Sequence, residues 1–305
     1  MAVEARKIET PTPVPVVPGR PRSGLVTTAL LAPPLLWLGV FFLVPVVLIF
    51  LYSVNVFSFF PGEQAFTLDA WKNFLDGSPF LDLFWKSIRM SLIVSVAAVV
   101  AAYPIAYYIA LVASKRKYVL LLLILAPFLV SYFLRILAWK VILGDQGVIN
   151  SFLFWTGLRD EGDPVSWLLY SQFAVILTLI YVYVPFVALP IFASLESLDR
   201  RLLEAASDLG ASRWQAFRKV TLPLSMPGVI AGFIFVFIPT IGEYFTPLLV
   251  GGVDGTMFGI AIADQFGQSL NWLNGSVLSF FLLVVVAVLM SIFARFLTVR
   301  RVATD

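Results

Sequence analysis

EAASDLGASRWQAFRKVTLP, Glu204 to Pro223, is a charged interruption in a chain that otherwise runs apolar over long stretches. Leu202, Leu203, Ala206 and Leu209 share one helix face, and Glu204, Ser207 and Asp208 share another. Asp199 is placed as an N-cap and Gly210 as a stop. Ser212 and Gln215 then form an S-x-x-Q capping box that predicts a second short helix, with Trp214 and Phe217 on one side and Arg213, Arg218 and Lys219 around them. The expectation is a polar helix-turn-helix, 199–223, exposed to water between two membrane spans.

Outward from this hairpin the apolar runs fall at about 25–52, 88–112, 118–143, 168–195, 229–250 and 277–299. Each has the roughly 20 residues that a helix needs to cross about 30 Å of hydrocarbon. The fold class expected is an all-α integral membrane protein with six transmembrane helices over 25–305. Arg6, Lys7, Arg20 and Arg22 precede the first run, Lys115, Arg116 and Lys117 separate the second and third, and Arg200, Arg201, Arg213, Arg218 and Lys219 separate the fourth and fifth. Arg295, Arg300 and Arg301 lie at the end. The opposite loops are poorer in Lys and Arg, so the positive-inside bias puts both termini and the hairpin in the cytoplasm.

Of the 305 residues, 60% are apolar and 13% charged, which excludes an ordinary soluble protein. Cysteine and histidine are both absent, which removes disulfides, thiolate chemistry and imidazole metal sites; no metal, cofactor or catalytic residue is expected. The segment 1–24, with Pro11, Pro13, Pro15, Pro18 and Pro21, reads as a disordered cytosolic tail, and the first run is too long for a signal-peptide core. On the outer side, LDAWKNFLD and VINSFLFWTGL read as short surface helices. Trp71, Trp85, Trp155 and Trp167 read as headgroup-level anchors, with docking of an external partner as a compatible role.

Glu204, Ala205 and Ala206, then Gly210, then Leu222 and Pro223, resemble the EAA loop of ABC importer permeases, with Val220 where the family usually has Ile. The wider run SLESLDRRLLEAASDLGASRWQAF with LPLSMPGVIAG, together with APFLVSYFLRILAWKVIL, IPTIGEYFTPLLVGG and NWLNGS, is similar to the spermidine/putrescine, PotB-like type. The similarity covers most of the chain from about Phe128. It implies a type I importer permease of MetI-like fold in a bacterial inner membrane, pairing with a second homologous permease. Two ATP-binding cassette subunits and an extracytoplasmic substrate-binding protein complete the implied assembly. It also implies that Glu204, Ala205, Ala206, Asp208, Gly210 and Pro223 belong to a coupling helix that docks into the ATPase. The chain itself has no G-x-x-x-x-G-K-[ST] loop, so energy has to arrive through a contact. A DNA-binding role does not suit a segment tied at both ends to the bilayer, and no nucleic-acid partner is expected.

Charges inside spans are costly and call for partners. Arg135 and Lys140 lie in the third run and Glu243 in the fifth; counting from the cytosolic ends puts Arg135 and Glu243 at similar depth, where they could pair. One reading is an ion pair that only fixes packing. The other is a cation pathway in which Glu243, with the aromatic faces of Tyr244 and Phe245, meets a protonated amine. Pro239, Gly242 and Pro247 would break the helix there and turn carbonyls toward a cavity. Tyr103, Tyr107, Tyr181 and Tyr183 read as packing. The alternatives are a permease for an opine, amino-acid derivative, anion or metal, and an ion-coupled secondary transporter. The second is weakened by the single clear intramembrane acid and by the lack of internal repetition.

Overall fold

A computed structural model describes residues 24–58, 65–113, 115–160 and 162–302, without the side chains of 24–27 and 296–302. Apart from Gly24, the tail assigned to 1–24 lies outside the described residues. Every described element is a helix: α1 (Gly24–Leu38), α2 (Val44–Ser53), α3 (Asp69–Leu75), α4 (Pro79–Tyr107), α5 (Lys117–Leu125), α6 (Tyr132–Leu143), α7 (Val148–Trp155), α8 (Gln172–Glu196), α9 (Arg200–Asp208), α10 (Arg213–Ala216), α11 (Leu222–Ile241), α12 (Phe258–Gly267) and α13 (Trp272–Val302). The described residues up to Val47 form one compact unit and those from Leu48 onward another.

Among the described residues five helical runs are long and apolar enough to cross a membrane, and a further pair, 117–129 and 132–155, meets that test together but is bent by 85°; the number is six when the pair is counted as one span. The run expected to be one straight span over 118–143 therefore bends in its middle. A 3₁₀ turn at Ala126–Leu129 carries Pro127, whose missing N–H and ring do not continue an α-helix, and Val130 is extended. The fifth span also differs from the expected 229–250. It is helical from Arg213 to Ile241, and a separate π-turn follows at Pro247–Gly251.

The bundle is built on α4, α8 and α11. Met90, Val94, Ala98, Ala102 and Ala106 repeat every four residues along α4 and are fully buried, so α4 offers a stripe that narrows from Met to Ala. Small residues serve the same purpose on α11, where a Cβ at Gly228 would lie 2.3 Å from the Pro190 carbonyl oxygen of α8. Close approach of this kind replaces the hydrophobic drive that lipid cannot supply between helices. A second cluster joins α3, α12 and α13 to the start of α4: Phe84 meets Phe258 at 5.4 Å and Phe281 at 5.0 Å, edge to face. The Phe258 amide, at the start of α12, donates to Ser87 Oγ at 2.8 Å.

The two short helices expected between the apolar runs are α3 and α7. Trp85, Trp155 and Trp167 are exposed, but Trp71 is half-buried, donating to Ser53 Oγ at 3.3 Å and packing edge-on against Phe280. Its expected role as a headgroup anchor is thus replaced by a packing role, because Ala70 and Phe74 on the same short helix pull α3 onto α13.

Candidate functional site

Two places combine polar chemistry with an unusual backbone. The first is the hairpin. Asp199 accepts from the Arg201 amide at 3.0 Å and starts α9. At its end the Gly210 amide donates to Ser207 O (2.9 Å) and the Ala211 amide to Ala206 O (3.0 Å), with Gly210 at φ +79°, a left-handed conformation that penalises any residue with a Cβ. The Ser212 amide donates to Gln215 Oε1 at 2.9 Å and the Gln215 amide to Ser212 Oγ at 3.3 Å, closing the capping box of α10. Glu204, Ala205, Asp208 and Gly210 are exposed and Ala206 is half-buried. Two large apolar side chains stand out on this polar hairpin: Leu209 is 89% and Trp214 67% exposed. Leu209, Gly210, Ala211, Gln215 and Lys219 contribute to a depression of about 300 Å³ between the helices.

The second helix is not a separate short one, as expected, but the beginning of a helical run of 29 residues from Arg213 to Ile241. Inside a regular α-helix the ring of Pro223 would clash with the Lys219 carbonyl; a π-turn at Phe217–Thr221 widens the chain at that point instead of ending it. Pro223 therefore lies within the long helix. Phe217, on the π-turn, is stacked on Trp214 at 5.4 Å and is met edge-on by Tyr103 at 5.8 Å and Tyr107 at 5.9 Å, both from α4. The Tyr103 hydroxyl lies 2.9 Å from Ser225 Oγ. At the same end of the bundle Lys117 pairs with Glu196, joining the start of α5 to the end of α8.

The second place is the break after α11. One Glu243 carboxylate oxygen accepts from the Tyr132 hydroxyl at 2.9 Å and from the Thr246 amide at 3.1 Å, and the Thr246 hydroxyl is 2.9 Å from the Tyr132 oxygen. Arg135 and Glu243, whose similar depth along the sequence allows them to pair, form no ion pair among the described residues. The guanidinium carbon of Arg135 instead lies 5.6 Å from the Phe128 ring and 5.7 Å from the Tyr132 ring, with only 6% of the residue exposed. Tyr132 thus stands with both charges, its hydroxyl on the acid and its ring face toward the base. The 85° bend in the third span explains the difference, since depth counted along a straight helix takes no account of it. Lys140 sits 5.5 Å from the Tyr170 ring.

Tyr244 is half-buried and Phe245 exposed beside Glu243. The carbonyls of Gly242 and Glu243 do not face a cavity as expected: a Cβ on Gly259 would lie 2.6 and 2.5 Å from them, so the start of α12 is packed on them. The residues that sequence reasoning missed are Tyr132 and Thr246. A signal was present, since Tyr132 and Arg135 are three apart and share a helix face.

Residues 102–303 match the family model described as binding-protein-dependent transport system inner membrane component. The chain is 36% identical over 233 residues to the spermidine/putrescine transport system permease protein PotB of Escherichia coli, covering 76% of this chain and 83% of that protein. The protein of the same name from Haemophilus influenzae is 35% identical over 264 residues, 85% of this chain and 90% of the other. A molybdenum transport system permease protein, ModB of Haemophilus influenzae, is 34% identical over 169 residues, 52% of this chain and 68% of that one. The fold is shared with a solved bacterial ABC transporter involved in the import of alginate, at a TM-score of 0.66 and 20% identity, covering 90% of this chain and 95% of that chain.

Proposed function

We infer, because this chain belongs to the family of binding-protein-dependent transport system inner membrane components, that it forms half of an importer's translocation pathway for spermidine, putrescine or a related small organic cation. The observation that carries the cargo is the likeness to two spermidine/putrescine permeases over three quarters or more of the chain. A sequence relative is named for molybdenum, and a solved transporter that shares the fold is named for alginate, so the cargo reading does not rest on the fold. Chemistry in the span supports it: Glu243 supplies a carboxylate, and Tyr244 and Phe245 beside it supply aromatic faces, the pair of features that recognises a protonated amine.

In this reading the chain is a non-catalytic permease subunit. It pairs with a second, homologous permease, receives cargo from an extracytoplasmic binding protein, and is driven by two separate ATPase subunits. Both termini and the hairpin lie in the cytoplasm. The hairpin, with Glu204, Ala205, Ala206, Asp208 and Gly210 on its surface and Pro223 in the helix behind it, docks into the ATPase. Exposed Leu209 and Trp214 on an otherwise charged hairpin suit burial in a protein groove.

The test is uptake into vesicles by the reconstituted complex with its binding protein and ATPase. ATP-dependent accumulation of labelled spermidine or putrescine, not competed by molybdate or alginate oligosaccharide, is the expected result; ATP-dependent uptake of either anion without amine uptake would overturn the cargo. Gly210→Pro and Glu204→Lys are expected to leave the chain inserted but to uncouple hydrolysis from uptake. Normal uptake by both variants would remove the hairpin from the coupling path.

A further inference from the structure

We propose that a groove between α4 and α5 is a binding site for one anionic phospholipid, with an acyl chain along the groove and the phosphate on Lys115 and Arg116. The groove has a volume of about 490 Å³, and Pro104, Ile105, Tyr108, Leu120, Leu123 and Ile124 line it. Its wall is apolar for a local reason. Pro104 interrupts the regular bonding of α4, and the helix continues as a π-turn, Tyr108–Val112, closed by the Ala113 amide donating to Tyr108 O at 2.9 Å. Tyr108 and Ile109, two of the groove's lining residues, lie on this widened turn, and Pro104 and Ile105 lie just before it.

The charge lies at one end of this groove. Arg116 is four residues from Leu120, about 6 Å of helical rise, so a headgroup at Arg116 leaves its first acyl carbons at the groove mouth. Lys115 and Arg116 are both exposed, and among the described residues neither forms an ion pair. The third cation of the cluster, Lys117, is already paired with Glu196, so its charge is answered within the protein. Tyr108 and Tyr118, 54% and 71% exposed, add amphipathic rings of the kind that sit at headgroup depth. Two cations without an ion pair among the described residues, next to an apolar slot between two helices, match a lipid with a negative headgroup better than a zwitterionic one. The site needs only that the chain spans a bilayer; it does not depend on the cargo or on the hairpin's role.

The probe is phosphatidylglycerol against phosphatidylcholine, added to the purified full complex in detergent and counted by native mass spectrometry. The intact complex is expected to retain one phosphatidylglycerol per copy of this chain with a preference of at least about tenfold, since each cation near a headgroup contributes about 1 kcal/mol. Lys115→Ala with Arg116→Ala should abolish the preference while phosphatidylcholine retention is unchanged, and Leu120→Trp, which fills the groove, should reduce retention of both lipids. Equal retention of the two lipids by the unmodified complex, or an undiminished preference in the double variant, would overturn the site. A further arm uses the absence of native cysteine. Leu123→Cys, labelled with a benzophenone maleimide and illuminated in the assembled complex, should cross-link to phospholipid; a cross-link from that position to the second permease would show a protein covering the groove and would also overturn the proposal.

Discussion

Tyr132 holds one hydrogen-bond donor on Glu243 and presents its ring to Arg135, so a single phenol mediates between two charges that share no direct bond. This arrangement leaves Glu243 half-buried, and under the proposed function an arriving ammonium would compete with Tyr132 and Thr246 for its carboxylate. Replacing Glu243 by Gln keeps the acceptor for Tyr132 and Thr246 and removes only the charge. The expected outcome is unchanged assembly, judged by size-exclusion of the complex, with amine uptake and amine-stimulated ATP hydrolysis reduced tenfold or more; uptake at the unmodified rate would return Glu243 to a packing role. The identity of the two charged residues was legible because ionisable groups are rare in apolar runs. Their partners were not, because a partner depends on how helices bend. Pro127 did mark the bend in the third span, yet a proline inside an apolar run permits either a kink in a continuing helix or a break, and only packing against α8 and the π-turn at Pro247–Gly251 decides between them.

At the level of elements, the hairpin and the fifth span form one lever. α9 is closed at Gly210, but α10 runs without interruption through the π-turn into α11, so under the proposed function a push on Trp214 would be carried along a single helix of 29 residues. The lateral contact is Phe217 between Tyr103 and Tyr107, reinforced by the Tyr103 hydroxyl on Ser225. Edge-to-face pairs of this kind contribute about 0.5–1.5 kcal/mol each beyond the area they bury. A double-mutant cycle with Phe217→Ala and Tyr103→Ala is expected to give a coupling of that size in the thermal stability of the complex. The functional outcome expected of Phe217→Ala is ATP hydrolysis retained within twofold and uptake reduced severalfold; equal loss of both activities would mean that Phe217 only stabilises the fold. The caps at Asp199, Gly210 and Ser212 were readable because each rule spans four residues or fewer. The continuity of α10 with α11 was not, because Pro223 signals a boundary locally and the widened turn that absorbs it is held in place by α4.

For the bundle as a whole, the run of apolar stretches was legible from hydrophobicity alone, while the order of packing was not: nearly every position in a span is apolar, so periodicity cannot say which face meets which helix. Small residues carry that information instead. Gly228 and Gly232, four apart on α11, lie against Pro190 and Val187 of α8, and the Gly-x-x-x-Gly spacing was readable in the run GVIAG. At Gly228 a Cβ would sit 2.3 Å from the Pro190 carbonyl oxygen and 2.6 Å from Ser194 Cβ; both are backbone or stem atoms without a rotamer to yield. At Gly232 the nearest atom is Val187 Cγ1, at 3.0 Å, and a side-chain methyl can move. The two glycines are therefore predicted to differ. Gly228→Ala should force α11 away from α8 at a cost of about 1–3 kcal/mol or more, and Gly232→Ala should cost less. Thermal unfolding of the detergent-purified complex, followed by fluorescence-detected size exclusion, should rank them in that order. Because α11 is also the helix that continues to the hairpin, the Gly228 variant should lose coupling along with stability. Equal melting temperatures for the two variants would mean that α8 and α11 do not meet as closely as the geometry requires.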